Sequence, residues 1–316
     1  MIGKDVRLAA QLLKEGKLVA IPTETVYGLA ANALSESAVR KIYEAKGRPS
    51  FNPLIIHLAD ISQLSEYARE IPQSAYELLN RFSPGPLTLI LPKKEVVPDI
   101  VTAGLDSVAV RIPAHPVLRE LLKICGLPLA APSANPSGYI SPTSAQHVEK
   151  MLGGKVDYIL DGGTCSAGLE STIVGFPNGV PAIYREGIIS RTEIEKIIGP
   201  VELNVSGKIH APGMLSSHYS PNTPLILTDN VPGEIEKNKN KKIGLITYGS
   251  LLVGLPENQQ ILLCDDNEFE LAARNLYAAM HEMDERGYDL IIARRFPYSG
   301  IGVAINDRLE RAAVKD

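Results

Sequence analysis

The sequence predicts an α/β protein in two parts: an N-terminal mixed sheet with helices, and a smaller C-terminal sheet of the parallel, doubly wound type. Three observations carry this. Short apolar runs of strand length alternate with amphipathic helical stretches. Consecutive strand-like runs with Gly and Pro punctuation near 156–186 suggest some antiparallel pairing. After Gly199 comes a Pro-, Gly- and Ser-bearing stretch without a clear period, beyond which strands and helices resume. The expected parts are 1–200, a linker at 201–223, and 224–316.

Residues 5–16 read as a helix closed by Gly16, followed by the strand KLVAIPT. Ser35 is placed to cap the helix ESAVRKIYEAKG, and PLIIHL follows as a buried strand. Helical stretches are expected near 62–70 and 73–82, strands at PLTLILP and SVAVRIP, a helix at HPVLRELLKICG and a strand at LPLAAPS. A T-x-x-Q box opens TSAQHVEKMLGG and an S-x-x-E box opens SRTEIEKIIG. VDYILDGG, STIVGF and PAIYREG lie between them as short strands. In the last part LILTD, KKIGLITYG, ILLC and YDLIIARRF read as strands. Phe269, Ala272, Ala273, Leu276, Met280 and Met283 share one face of a helix, as core residues.

The 316 residues are 45% hydrophobic and 22% charged, ordinary for a globular protein. A net charge of −4 leaves no global positive field for nucleic acid, so any such contact must be local or made by a partner. Cys125, Cys165 and Cys264 are far apart, and no Cys/His spacing suggests a zinc site, so the metal expectation is none. A reducing cytoplasm fits this cysteine usage. No apolar run is long enough to span a bilayer, and no membrane partner is expected.

Several clusters could carry chemistry. Lys46 and Arg48 flank Gly47 at a helix-to-strand turn, with Asn52 nearby; this is either a solvated turn or an anion site. In IPTETVYG the strand breaks at Pro22 into hydroxyls and a carboxylate, which suit a small polar ligand or, equally, cap a helix through Thr23 or Thr25. In LAAPSANPSGYISPTS a buried strand runs into Ser133, Asn135, Ser137 and Ser141, small donors for phosphate or ribose. Neither a Walker A loop nor a dinucleotide fingerprint is present. Arg111 and Arg185 sit on strands, where each needs an anion: an Asp or Glu, or a ligand carboxylate or phosphate. His57 ends a strand near the basic turn.

Taken in order, PTETVYGLAANA, IYEAKGRP, NPLIIH, PGPLTLIL, VAVRIPAHP, LAAPSANPSG, LDGG, GLESTIV and REG closely resemble the YrdC-like family. APGMLSSHYSP and the C-terminal part resemble its long, two-domain form, the threonylcarbamoyl-AMP synthases. The resemblance implies a twisted open α/β sheet around a basic cavity, with a Rossmann-like second domain. It implies synthesis of L-threonylcarbamoyladenylate and pyrophosphate from L-threonine, bicarbonate or CO2, and ATP with Mg2+. A TsaD-type threonylcarbamoyl transferase would then modify the tRNA adenosine next to the anticodon, so that tRNA is an indirect partner.

Carried onto this chain, the resemblance assigns Lys46, Arg48 and Asn52 to the ATP phosphates, with Lys46 and Arg48 as the catalytic pair. Ser107, Ser133, Ser141 and Arg185 complete the nucleotide site, and Tyr219 of HYSP covers it from the linker. Thr25, His57, Arg111, the backbone at Ala131, and Ser171 hold threonine. Rival readings are an RNA-binding module, a threonine or nucleotide sensor without turnover, and a carbamoyltransferase of the hydrogenase-maturation type. The last carries zinc-finger and acylphosphatase-like segments that this sequence lacks.

Overall fold

The computed structural model describes residues 1–203, 218–266 and 268–314. Its larger sheet holds β1 (Ile2–Gly3), β2 (Val19–Ile21), β3 (Gly28–Asn32), β4 (Ile55–His57), β5 (Leu87–Pro92), β6 (Ser107–Arg111), β7 (Leu129–Ala130), β8 (Tyr158–Leu160), β9 (Thr172–Gly175), β10 (Ala182–Arg185) and β11 (Glu202–Leu203). Their spatial order is β1-β8-β2-β3-β7-β4-β6-β5-β9-β10-β11, with parallel and antiparallel pairs mixed. The smaller sheet holds β12 (Leu225–Thr228), β13 (Ile243–Thr247), β14 (Gln260–Leu262) and β15 (Leu290–Arg294). Its order is β12-β15-β13-β14, and every pair is parallel.

Helices α1 (Val6–Lys14), α2 (Glu36–Lys46), α3 (Leu64–Tyr67), α4 (Gln73–Phe82), α5 (Asp99–Thr102), α6 (Pro116–Cys125), α7 (Ala145–Leu152) and α8 (Arg191–Ile198) surround the larger sheet. Helices α9 (Val231–Lys237), α10 (Phe269–Glu285) and α11 (Ile301–Ala313) accompany the smaller one. Among the described residues no helix is long and apolar enough to cross a membrane. The three cysteines are buried and unbridged.

The strand period of two sorts core from site. Leu87, Leu89 and Leu91 of β5, Val108 and Val110 of β6, and Ile56 of β4 enter one core with Ile42, Leu78, Val101 and Ile194 of the covering helices. The alternate positions form the opposite face. Pairing sets His57 beside Arg111, Arg111 beside Thr88, Thr88 beside Ile173, and Ile173 beside Arg185. Cross-strand partners project to one side, so this row spans five strands on a single face. Next to it Ile55, Ile90, Ala109 and Ile173 form an apolar shelf with Tyr184 against it.

Several elements differ from the sequence reading. GLAAN forms β3, antiparallel to β2, so IPTETVYG is a hairpin connection and no helix follows it to be capped. The stretch near 62–70 is helical only to Tyr67, because Ala68 turns extended and bridges Lys93. The N-cap of α7 is Ser144, which accepts from His147 N, and Thr143 instead lies against the His147 ring. β8 pairs in parallel with β1 and β2, whereas β9 and β10 are antiparallel. Of the linker at 201–223, residues 204–217 lie outside the described residues, and Glu202–Leu203 form a short strand on β10. On the α10 face read as core, Ala272, Ala273, Leu276, Met280 and Met283 are buried, and Phe269 is half-buried against that core.

Candidate active site

A cavity opens on the sheet face that carries the His57–Arg111–Arg185 row. Thr25, Arg48, His57, Arg111, Ala131, Ser133, Glu170, Ser171, Arg185 and Tyr219 line it. Its first wall is the β2–β3 connection. Thr23 Oγ1 accepts from the Thr25 and Val26 amides and donates to the Val26 carbonyl, so the hydroxyl ties the loop. Tyr27 donates to the Gly163 carbonyl and accepts from the Gly162 amide, which pins the loop to LDGG.

Arg111 is the centre of this wall. Its Nε donates to the Gly85 carbonyl at 3.2 Å and Nη1 donates to Thr25 Oγ1 at 2.8 Å. Nη2 lies 2.7 Å from Glu24 Oε1. A terminal guanidinium nitrogen carries two N–H groups, so this pair leaves Nη2 with donor capacity to spare. Of the two partners the sequence allowed, a protein carboxylate is present. Burial alone would raise the Glu24 carboxyl, but Arg111 outweighs it and holds it below its usual range. His57 is buried with Nδ1 unpartnered among the described residues. Burial, and then Arg111, push its pKa down to about 3, so the ring is neutral at physiological pH.

The basic turn forms the second wall. Gly47 closes α2 at φ +59, and Lys46 and Arg48 on either side are both buried, which rules out the solvated turn. Arg48 donates to Asn52 Oδ1 at 2.6 Å and to the Pro53 carbonyl at 2.9 Å. Lys46 Nζ donates to the carbonyls of Ser133, at 2.6 Å, and of Asn135. Burial, and then Arg48, draw its ammonium well below the usual value. Among the described residues Lys46 and Arg48 meet neutral oxygens and no carboxylate.

The third wall joins Ser171, Arg185 and Glu170. Arg185 Nη2 donates to the Ser171 carbonyl at 2.9 Å and to its Oγ at 3.1 Å. Ser171 Oγ and Thr88 Oγ1 are hydrogen-bonded at 2.7 Å. Glu170 accepts from Ser141 Oγ, Tyr277 Oη and Arg308 Nε. Burial alone would raise its carboxyl, but Arg308 and then Arg185 hold it at about 2. Tyr219, at φ +64, stacks on Tyr277 with centroids 5.6 Å apart. Its Oη has no partner among the described residues.

Four of the predicted residues stand outside the cavity lining. Lys46 and Asn52 lie directly behind Arg48 and Ser133, and Ser141 lies behind Glu170. Ser107 begins β6, lies on the same face as Arg111, and borders a separate depression with Pro92 and Tyr184 beyond the apolar shelf. Glu24, Glu170 and His218 are the site residues that sequence reasoning did not assign. Glu24 and Glu170 sit inside stretches already conspicuous, PTET and GLEST, but nothing local reveals which cation each meets. Among the described residues no three His, Cys, Asp or Glu side chains are placed to share a metal ion.

Comparison with known proteins matches this architecture. The Sua5, YciO and YrdC family model, described as telomere recombination, covers residues 11–187, and the threonylcarbamoyl-AMP synthase C-terminal domain model covers 189–314. A threonylcarbamoyl-AMP synthase of Pyrococcus abyssi is 46% identical over 98% of this chain and 94% of its own length. One from Bacillus subtilis is 44% identical over 98% and 93%. The crystal structure of P. abyssi Sua5 complexed with L-threonine superposes with a TM-score of 0.91 at 44% identity, over 99% of this chain and 97% of that one. The chain belongs to the YrdC-like family, in the long, two-domain form of the threonylcarbamoyl-AMP synthases.

Proposed function

We propose that this enzyme forms L-threonylcarbamoyladenylate and pyrophosphate from L-threonine, bicarbonate or CO2, and ATP. The observation that carries the reading is the pair Lys46 and Arg48, two adjacent buried cations that face no protein carboxylate among the described residues. Burying such charges is costly unless an anion joins them, and a triphosphate supplies that anion. The solved threonine complex of P. abyssi Sua5 supports threonine as the second ligand.

In this reading the remaining donor capacity of Arg111 takes the threonine carboxylate, and Thr25, His57, Ser171 and the Ala131 backbone orient the rest. The neutral amine attacks CO2 and gives up one proton to solvent, which leaves a carbamate. A carbamate oxygen then attacks the α-phosphorus, the bond to the β-phosphate oxygen breaks, and pyrophosphate leaves. Arg48 neutralises the growing charge, and Lys46 does so once its ammonium turns from the carbonyls. The nucleotide runs from Arg48, Ser133 and Arg185 across the shelf of Ile55, Ile90 and Ala109 toward Ser107, with Tyr219 against it. Asn52 and Ser141 hold Arg48 and Glu170 in place. Glu24 and Glu170 are engaged by arginines, so a Mg2+ would be held by the nucleotide rather than by these carboxylates, and would supply neutralisation of phosphate charge. The product, a mixed anhydride, suits a TsaD-type transferase acting on tRNA in the cytoplasm.

The test is pyrophosphate release with ATP, Mg2+ and bicarbonate, with and without L-threonine, and mass analysis of the product. Threonine-dependent release with the adenylate mass is expected. Tight ATP binding without release would replace this reading with a sensor.

A further inference from the structure

We infer that the C-terminal domain completes the nucleotide half of the site, with Tyr277 and Arg308 as positioning residues for ATP. The inference rests on the reaction proposed above. Arg308 of α11 is fully buried. Its Nε donates to Glu170 Oε2 at 2.8 Å, and its Nη2 donates to the Glu186 carbonyl at 2.9 Å. Glu170 immediately precedes Ser171, and Glu186 immediately follows Arg185. One guanidinium therefore clamps the two segments whose neighbours, Ser171 and Arg185, bond to each other and face the cavity. The guanidinium also lies 5.3 Å from the centre of the Tyr219 ring.

Tyr277 of α10 supplies the second contact. Its hydroxyl reaches both Glu170 oxygens, at 3.1 and 2.9 Å, and its ring stacks on Tyr219. The two domains share a core at this point, where Val26, Ile140, Leu169 and Tyr219 pack with Leu276, Met280 and Leu309. The threonine half is held differently. Arg111 is fixed by Thr25, Glu24 and Gly85, all from the N-terminal sheet and its connections. Loosening Tyr277 or Arg308 should therefore act mainly on ATP, with Ser171 as the threonine contact that the clamped segment carries.

The experiment compares wild type, Tyr277→Phe, Arg308→Lys and Lys150→Ala. Tyr277→Phe removes one hydroxyl and keeps the ring. Arg308→Lys keeps the charge but cannot fork between Glu170 and Glu186. Lys150→Ala breaks the exposed Lys150–Glu285 pair at the same domain joint and serves as the control. Dissociation constants for ATP and for L-threonine are measured by titration calorimetry, and both KM values from pyrophosphate release. Tyr277→Phe should weaken ATP about tenfold, the scale of one charge-assisted hydrogen bond, and Arg308→Lys at least as much. L-threonine, which meets this segment at Ser171, should weaken by about threefold at most in both, and Lys150→Ala should match wild type in both ligands. Unchanged ATP constants in folded Tyr277→Phe, or equal weakening of both ligands, would overturn the inference. Should Arg308→Lys not fold, Tyr277→Phe decides. Failure of the reaction itself shows separately, as wild type that binds ATP without threonine-dependent release.

Discussion

Glu24 and Arg111 form an ion pair of 2.7 Å at the cavity wall, their side chains only 10% and 4% exposed. The carboxylate balances the guanidinium while Thr25 and Gly85 fix its plane. Glu24→Gln keeps the shape and removes the balancing charge. It should cost about 3 kcal/mol of stability, as breaking a buried pair does. L-threonine should then raise the melting temperature more than it does in wild type, because its carboxylate replaces the lost anion. A thermal shift no larger than that of wild type would reject Arg111 as the carboxylate site.

Lys46 and Arg48 make different contacts, so their loss should differ in kind. Arg48→Ala should lower turnover by roughly 10²–10³-fold with the fold intact, the scale for one transition-state donor. Lys46→Ala should lower turnover to a similar extent and also loosen the 133–141 loop, whose carbonyls at Ser133 and Asn135 it holds. Single-turnover rates and circular dichroism of the two variants check this. Wild-type-like rates in both would remove them from the catalytic centre.

Gly168 packs directly against the backbone of α10. A Cβ there would lie 2.4 Å from Arg274 Cα and 2.7 Å from the Ala273 carbonyl, and its φ is +77. Backbone of α10 cannot step aside as a side chain can. Gly168→Ala should lose about 2 kcal/mol or more in urea denaturation. Gly126 has φ +65 and open space around it, so Gly126→Ala should lose about 1 kcal/mol from backbone strain alone. Equal losses in the two variants would contradict a close-packed joint at Gly168.

Acid should destabilise the fold before its carboxylates titrate. Burial is the first cause that lowers His57 and His218 to about 3 and His281 to about 4. The unfolded chain binds these protons near 6.5 and the folded chain does not. The stabilisation is full above that value and falls as pH drops toward the folded values. Each ring accounts for up to about 2 kcal/mol at about pH 5. Melting temperatures at neutral pH and at about pH 5 measure the slope, and His281→Gln should flatten it. A flat profile in wild type would show that these rings protonate freely in the fold.

Short-range physics made much of this protein readable from the sequence alone. PLTLILP, read as a strand, is β5, and its period of two sets Leu87, Leu89 and Leu91 in a core and Ile90 on the other face. Helical spacing sorted Leu276, Met280 and Met283 inward on α10, and Ser190 with Glu193 formed the capping box that their spacing predicts. The basic turn, the hydroxyl-rich loop and the strand arginines were conspicuous because such residues are costly at apolar positions. What each charge meets was settled only by tertiary structure. Arg111 lies far along the chain from Glu24, and Arg308 stands 138 positions from Glu170. No local pattern encodes such a partner, because a buried charge is satisfied by whichever strand or helix the sheet order brings beside it. The sheet order set His57, Arg111 and Arg185 in one row, and the packing of α10 and α11 onto the GLEST segment carried Tyr277 and Arg308 behind Glu170, which lines the site.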